Sequence, residues 1–101
     1  MKTKVIYRPT IEAIKKASLN LQEVALKTPL VKNDYYSKKY QSTILFKRED
    51  LQQVRSYKIR GAYNKISSLT ENERIKGVIC ASAGNHAQGV ALSCKLLKIH
   101  G

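Results

Sequence analysis

A chain of 101 residues, 43% hydrophobic and 26% charged, has the composition of one small globular domain, which excludes a disordered, collagen-like or low-complexity polymer. No apolar run approaches the roughly 20 residues a membrane helix needs, and Met1-Lys2-Thr3-Lys4-Val5-Ile6 leads into charge before any signal-like core develops, so a cytoplasmic protein with no membrane partner is expected. The balance of 19 basic against 7 acidic residues, net +12, points to an anionic partner; spread lysines and the lack of an interleaved aromatic platform favour a small anion over nucleic acid.

Pro9-Thr10 is followed by Ile11, Ile14, Ser18, Leu21 and Ala25 at helical spacing, which predicts an amphipathic scaffold helix with Thr10 as N-cap. Glu12 suits the positive end of that helix and can pair with Lys16, while Lys27 suits the other end. Thr28-Pro29 stops it, because proline cannot continue a helix, and Leu30 and Val31 open a short extended segment. Asn33-Asp34-Tyr35-Tyr36-Ser37-Lys38-Lys39-Tyr40 reads as a short helix with partly packed rings.

Thr43-Ile44-Leu45-Phe46 has the pattern of a strand buried on both faces, and Lys47-Arg48-Glu49-Asp50 stands where it leaves the core, as ligand-facing groups or as a solvated cluster. Residues 51–55 read as a loop, with Ser56 capping a helix whose stripe is Ile59, Ala62, Tyr63, Ile66 and Leu69. A polar loop around Asn72 leads to Gly77-Val78-Ile79-Cys80-Ala81, a second buried-strand pattern. The last helix begins at Asn85 or His86 and is apolar on two sides, which predicts a position between layers, with Gly101 following its C-terminus. Cys80 and Cys94 read as reduced core residues. The element order predicts an α/β fold with parallel strands joined by crossover helices.

Chemistry concentrates in two stretches. Lys58 by itself reads as a solvent-facing cation, the usual fate of a lysine; its place at a helix entrance beside apolar residues, taken with the second stretch, suits a neutral amine that attacks a carbonyl or imine. Arg60 can pair with Glu49 or Asp50, and Gly61 leaves room for a backbone or a ligand. In the second stretch, Ser82-Ala83-Gly84-Asn85-His86, a strand-to-helix turn presents backbone N–H groups that suit a carboxylate or phosphate; Ser82 or Asn85 acting only as a helix cap explains it equally well. His86 has no assignable triad partner, so packing or capping is its better role, and Gly89 inside a helix implies close packing or ligand approach.

Together Thr28-Pro29-Leu30, Lys47-Arg48-Glu49-Asp50, Ser56-Tyr57-Lys58-Ile59-Arg60-Gly61-Ala62 and Ala81-Ser82-Ala83-Gly84-Asn85-His86-Ala87-Gln88-Gly89 resemble successive blocks of the pyridoxal 5'-phosphate enzymes of tryptophan-synthase-β-like fold (fold type II), and within them the threonine dehydratases. The resemblance runs from about residue 9 to the C-terminus. It implies a lyase of amino-acid metabolism, with isoleucine biosynthesis as one route, that eliminates the β-hydroxyl of L-threonine as water, after which hydrolysis of the unsaturated amine takes up water and gives 2-oxobutanoate and ammonia; L-serine would give pyruvate and ammonia. Lys58 would be the Schiff-base lysine and carry the substrate Cα proton; Tyr57, where the family often has phenylalanine, would pack on the cofactor; Asn85 would bond its phenolic oxygen. Ser82, Ala83, Gly84, Asn85 and His86 would hold the substrate carboxylate. No metal is implied, and a full-length protein would be a homo-oligomer.

The chain lacks the family's glycine-rich phosphate loop and the serine that meets the pyridine nitrogen, so residues 1–101 are expected to be a single incomplete N-terminal piece of the catalytic domain, inactive alone and poorly stable. Competing readings are a basic α/β module for anions or nucleic acid, a non-catalytic remnant, and, within the fold, a serine racemase.

Overall fold

A computed structural model describes residues 6–101; residues 1–5, on which the reading of the N-terminus partly rests, lie outside the described residues. The elements run α1 (Ile11–Asn20), β1 (Leu30–Lys32), α2 (Asp34–Lys39), β2 (Leu45–Lys47), a 3-10 turn (Glu49–Leu51), α3 (Lys58–Ser67), α4 (Glu71–Lys76) and α5 (Asn85–Leu97).

Thr10 caps α1 as expected: its backbone is extended and its Oγ1 accepts the Ala13 N–H at 3.1 Å. The helix ends at Asn20, well before Thr28-Pro29, because the Leu21 N–H turns onto both Ala17 and Ser18 carbonyls and tightens the last turn. Leu21 and Ala25 are nevertheless buried, whereas Ile11 and Ile14 on α1 itself are exposed. The Glu12–Lys16 pair does not form among the described residues, whose ion pairs are Lys32–Asp34, Arg48–Asp50 and Arg60–Glu49. A solvated pair of long side chains gains too little to hold one geometry.

Strands β1 and β2 pair antiparallel, with Leu30 opposite Lys47, Val31 opposite Phe46 and Lys32 opposite Leu45. Their residues are exposed, so the strand read as buried on both faces is instead one edge of a ribbon. Asn33 caps α2 by accepting the Tyr36 N–H at 2.9 Å, and Tyr36 packs between the Tyr40 and Phe46 rings. Residues 77–81 form no strand; the Gly77 N–H closes the turn onto the Arg74 carbonyl at 3.0 Å, the Val78 N–H donates to the His100 carbonyl at 2.9 Å, and Ile79 is fully exposed. The mixed helix and strand content of the expected α/β class is present, but the parallel pairing with crossover helices is not formed among the described residues. A parallel ladder needs an aligned neighbouring strand, and no described segment lies beside residues 77–81 as one.

The predicted polar loop around Asn72 is α4. Thr70 and Glu73 form a capping box, Glu73 accepting the Thr70 N–H at 2.8 Å and Thr70 Oγ1 accepting the Glu73 N–H at 3.4 Å.

The core lies where α3 meets α5. Ala62 and Ile66 from one helix and Val90 and Cys94 from the other close around Ile99, with Leu69, Val78 and Leu97 at the margin. The predicted α3 stripe thus points inward through Ile59, Ala62 and Ile66. α5 is covered on one side only, with Ala91 and Leu96 exposed, so the predicted position between two layers is not met among the described residues. Cys80 is exposed rather than core, because the segment carrying it has no covering layer; Cys94 is buried. The residue that turns the chain out of α5 is Lys98, at φ 54°, not Gly101.

Candidate active site

Lys58 is the first residue of α3. Ser56 does not cap the helix outright; its buried hydroxyl accepts the Lys58 N–H at 3.4 Å, while Tyr57 occupies the cap position without a side-chain bond. The Lys58 side chain is half-buried, and its Nζ lies 5.0 Å from the Tyr57 ring centroid. Among the described residues that Nζ makes no hydrogen bond and no ion pair.

The second stretch reaches Lys58 through α5. The Cα of Gly89 comes so close to α3 that a Cβ there would stand 3.1 Å from the Lys58 carbonyl carbon and oxygen and 3.2 Å from the Ile59 nitrogen. Glycine allows this approach without displacing the neighbouring backbone, and so places the first turn of α5 against the entrance of α3. Consequently Tyr57, Lys58, Arg60, Gly61, Ala62 and His86 line one open cavity of about 330 Å³. Two larger clefts along α1, of about 510 and 530 Å³, contain none of the predicted site residues.

Ser82 caps the loop between the core and α5: its Oγ accepts the N–H groups of Gly84 and Ala87, each at 3.3 Å. Asn85 does not cap; the N-cap is Gly84, which has no side chain to offer. The Asn85 and His86 N–H groups find no acceptor among the described residues, and the loop from Ser82 to His86 is exposed. Two free amides at the positive end of a 13-residue helix constitute a place where an anion is stabilised. The structure therefore joins Lys58, Tyr57 and His86 in one cavity, while Ser82, Ala83, Gly84 and Asn85 stand outside its lining, on the adjoining loop.

Behind Lys58 stands a polar hub. Arg60 grips Glu49 with two parallel bonds, Nε to Oε2 at 2.8 Å and Nη2 to Oε1 at 2.9 Å. Thr28 Oγ1 donates to Glu49 at 2.6 Å and Gln52 Nε2 at 3.2 Å. Gln52, 1% exposed, also takes the Leu26 N–H at 2.9 Å and donates to the Leu26 carbonyl at 2.8 Å. The Arg60 hydrogen bonds, with help from Thr28 and Gln52, hold the Glu49 carboxyl down to about 2 against the opposing cost of burial. Of the two acids open to Arg60, Glu49 is the partner; Asp50 is taken by Arg48 at 2.8 Å.

Gln52 is the residue that the sequence reading passed over, inside a stretch read as loop. A glutamine between Leu51 and Gln53 carries no periodicity, and nothing local signals that its amide matches a backbone N–H and carbonyl 26 positions earlier.

Residues 21–101 match the family model described as pyridoxal-phosphate dependent enzyme. The L-threonine dehydratase biosynthetic IlvA of Bacillus subtilis (strain 168) is 55% identical over 91 residues, covering 90% of this chain and 22% of the relative. Among solved structures, the serine racemase of Dictyostelium discoideum superposes with a TM-score of 0.83 at 37% identity, over 89% of this chain and 29% of the other. The processed form of threonine deaminase isoform 2 from Solanum lycopersicum gives a TM-score of 0.72 at 40% identity, over 90% and 26%. The chain thus spans about a fifth of the length of the curated relatives it matches.

Proposed function

Because this chain belongs to the pyridoxal-phosphate dependent enzyme family, we propose that it contributes the lysine and the substrate-carboxylate loop of a threonine dehydratase site, with Lys58 as the covalent anchor of the cofactor. The observation that carries the reading is the meeting of two chain segments: a half-buried lysine with an unengaged amine, and a helix N-terminus with unengaged N–H groups, brought together where Gly89 lies on Lys58. The curated relatives at 52–55% identity support threonine dehydratase, whereas among the solved structures threonine deaminase at 40% and serine racemase at 37% are not separated by identity or by backbone likeness, since enzymes of different activity share a fold.

The residues present fit an aldehyde-bearing aromatic cofactor. An amine free of partners faces a cavity, with an aromatic ring, Tyr57, beside it and Gly61 open on the same wall. Lys58 would hold the aldehyde end, Tyr57 would pack on the ring, and Asn85 would bond its phenolic oxygen. When bound, the cofactor supplies an electron sink for charge developing at the substrate Cα.

This chain's residues supply the rest. The Lys58 amine, carried by the first residue of α3, would take the Cα proton of the substrate. Ser82, Ala83, Gly84, Asn85 and His86 orient the substrate through its carboxylate, which meets the free N–H groups of Asn85 and His86 and the positive end of α5. Ser82 keeps that loop in place by capping it, so its hydroxyl positions the amides instead of reacting. The substrate is L-threonine, with L-serine as the shorter analogue; the full-length protein is an oligomer of like chains.

Incubation with pyridoxal phosphate followed by borohydride reduction and peptide mapping tests the reading. The expected result is labelling concentrated on Lys58 and lost in Lys58→Ala. Labelling spread evenly over the exposed lysines and unchanged by that substitution contradicts it.

A further inference from the structure

Lys58 needs more than a helix to aim it. The N-cap Tyr57 gives no side-chain bond, and the Ser56 contact, at 3.4 Å, is at the outer limit of a hydrogen bond. The first turn of α3 is instead held from two sides. The backbone of α5 at Gly89 stands against the Lys58 carbonyl, and Arg60, two residues on, is bolted to Glu49.

Glu49 is itself fixed. It belongs to the 3-10 turn that follows β2, receives Thr28 and Gln52, and through Gln52 is tied to both backbone groups of Leu26, whose carbonyl also receives Arg60 Nη2 at 3.3 Å. We propose that Glu49 and Arg60, locked by Gln52, form a positioning pair that sets the direction of the Lys58 amine into the cavity it shares with His86. This rests on the reading of Lys58 as the covalent anchor. A planar guanidinium bonded at two points resists both sliding and rotation, which a single lysine contact does not. Because Arg60 lies on the same turn as Lys58, holding it restrains the backbone from which the Lys58 side chain projects.

The test compares the unaltered chain with Glu49→Gln, Arg60→Lys, the double variant, and Asp50→Asn as a control in an ion pair outside the hub. Capture of pyridoxal phosphate is followed at each lysine: Nζ bonds to the aldehyde carbon, water leaves, and borohydride delivers hydride to the C=N bond so that the adduct can be weighed. The readout is the capture rate at Lys58 relative to Lys65, an exposed lysine on the same helix. Circular dichroism first establishes that each variant is folded, because unfolding would by itself bring Lys58 to the level of the exposed Lys65.

Each single variant is expected to lower that ratio about tenfold, the double to be no worse than the poorer single, and Asp50→Asn to leave it unchanged. Amide hydrogen exchange without cofactor is expected to rise about tenfold in residues 58–62 in the hub variants. Folded hub variants with unchanged ratio and unchanged exchange overturn the positioning role. Should Glu49→Gln not fold, Arg60→Lys, which keeps the cation, decides. If the unaltered chain shows no preference for Lys58, the anchor reading falls, and the exchange data alone decide whether the pair holds the first turn of α3.

Discussion

Arg60 and Glu49 face each other through two bonds of 2.8 and 2.9 Å, with the Glu49 side chain 15% exposed and that of Arg60 36% exposed. The pair joins α3 to the end of the β-ribbon, elements otherwise separated by eleven positions of sequence.

Its acid sensitivity follows from the Glu49 carboxyl, held at about 2 against an ordinary 4.5. A lowered folded value means stability that is fully present above the unfolded value and is lost as pH falls through the folded one. Between about pH 5 and pH 2, the unaltered chain should lose about 1–2 kcal/mol more than Glu49→Gln, the water-exposed Arg60 side screening the pair. Urea midpoints at pH 7, 4 and 2.5 measure the difference.

Gln52→Ala removes both bonds to the Leu26 backbone and one to Glu49. The part-buried Leu26 N–H then loses its partner, although Leu26 itself is exposed and water can reach it, so a loss of about 1–2 kcal/mol is expected in the urea midpoint. Asp50→Asn, in a half-exposed pair, should change it by less than about 0.5 kcal/mol.

Gly89→Ala and Gly61→Ala should move stability in opposite directions although both sit in helices. At Gly89 a methyl group would press on Lys58 backbone atoms at 3.1 Å, which cannot rotate away, and a loss of about 1–3 kcal/mol outweighs the gain in helix propensity. At Gly61 nothing lies within 4 Å. That substitution should stabilise the chain by up to about 1 kcal/mol, read by thermal unfolding.

The cysteines should separate under iodoacetamide. Exposed Cys80 reacts in the folded chain, whereas Cys94 is buried and its thiol is pushed up by desolvation, so it reacts only after denaturant is added. Mass mapping of the two peptides, with and without urea, gives the result.

Sequence alone determined what depends on neighbours in the chain. Thr10 as a cap, the inward stripe Ile59, Ala62 and Ile66, and the start of the last helix at Asn85 all follow from local periodicity and capping chemistry. Lys58 and the loop of residues 82–86 were legible as unusual for the same reason, since a helix N-terminus and a glycine turn are local signals. The capping box at Thr70 and Glu73 is an equally local signal, obscured by Asn72, whose low helix propensity favours a loop.

Tertiary structure decided whatever needed a partner far along the chain. Whether Thr43-Ile44-Leu45-Phe46 and Gly77-Val78-Ile79-Cys80-Ala81 are buried depends on what covers them, and an apolar run carries no record of its neighbours. Arg60 had two acids within reach of the same reasoning, and only geometry gave it Glu49. Lys58 and His86 are 28 positions apart, and they share a cavity because one missing side chain, at Gly89, lets α5 lie on the backbone of α3. Local chemistry marks residues that can react; packing decides which of them meet.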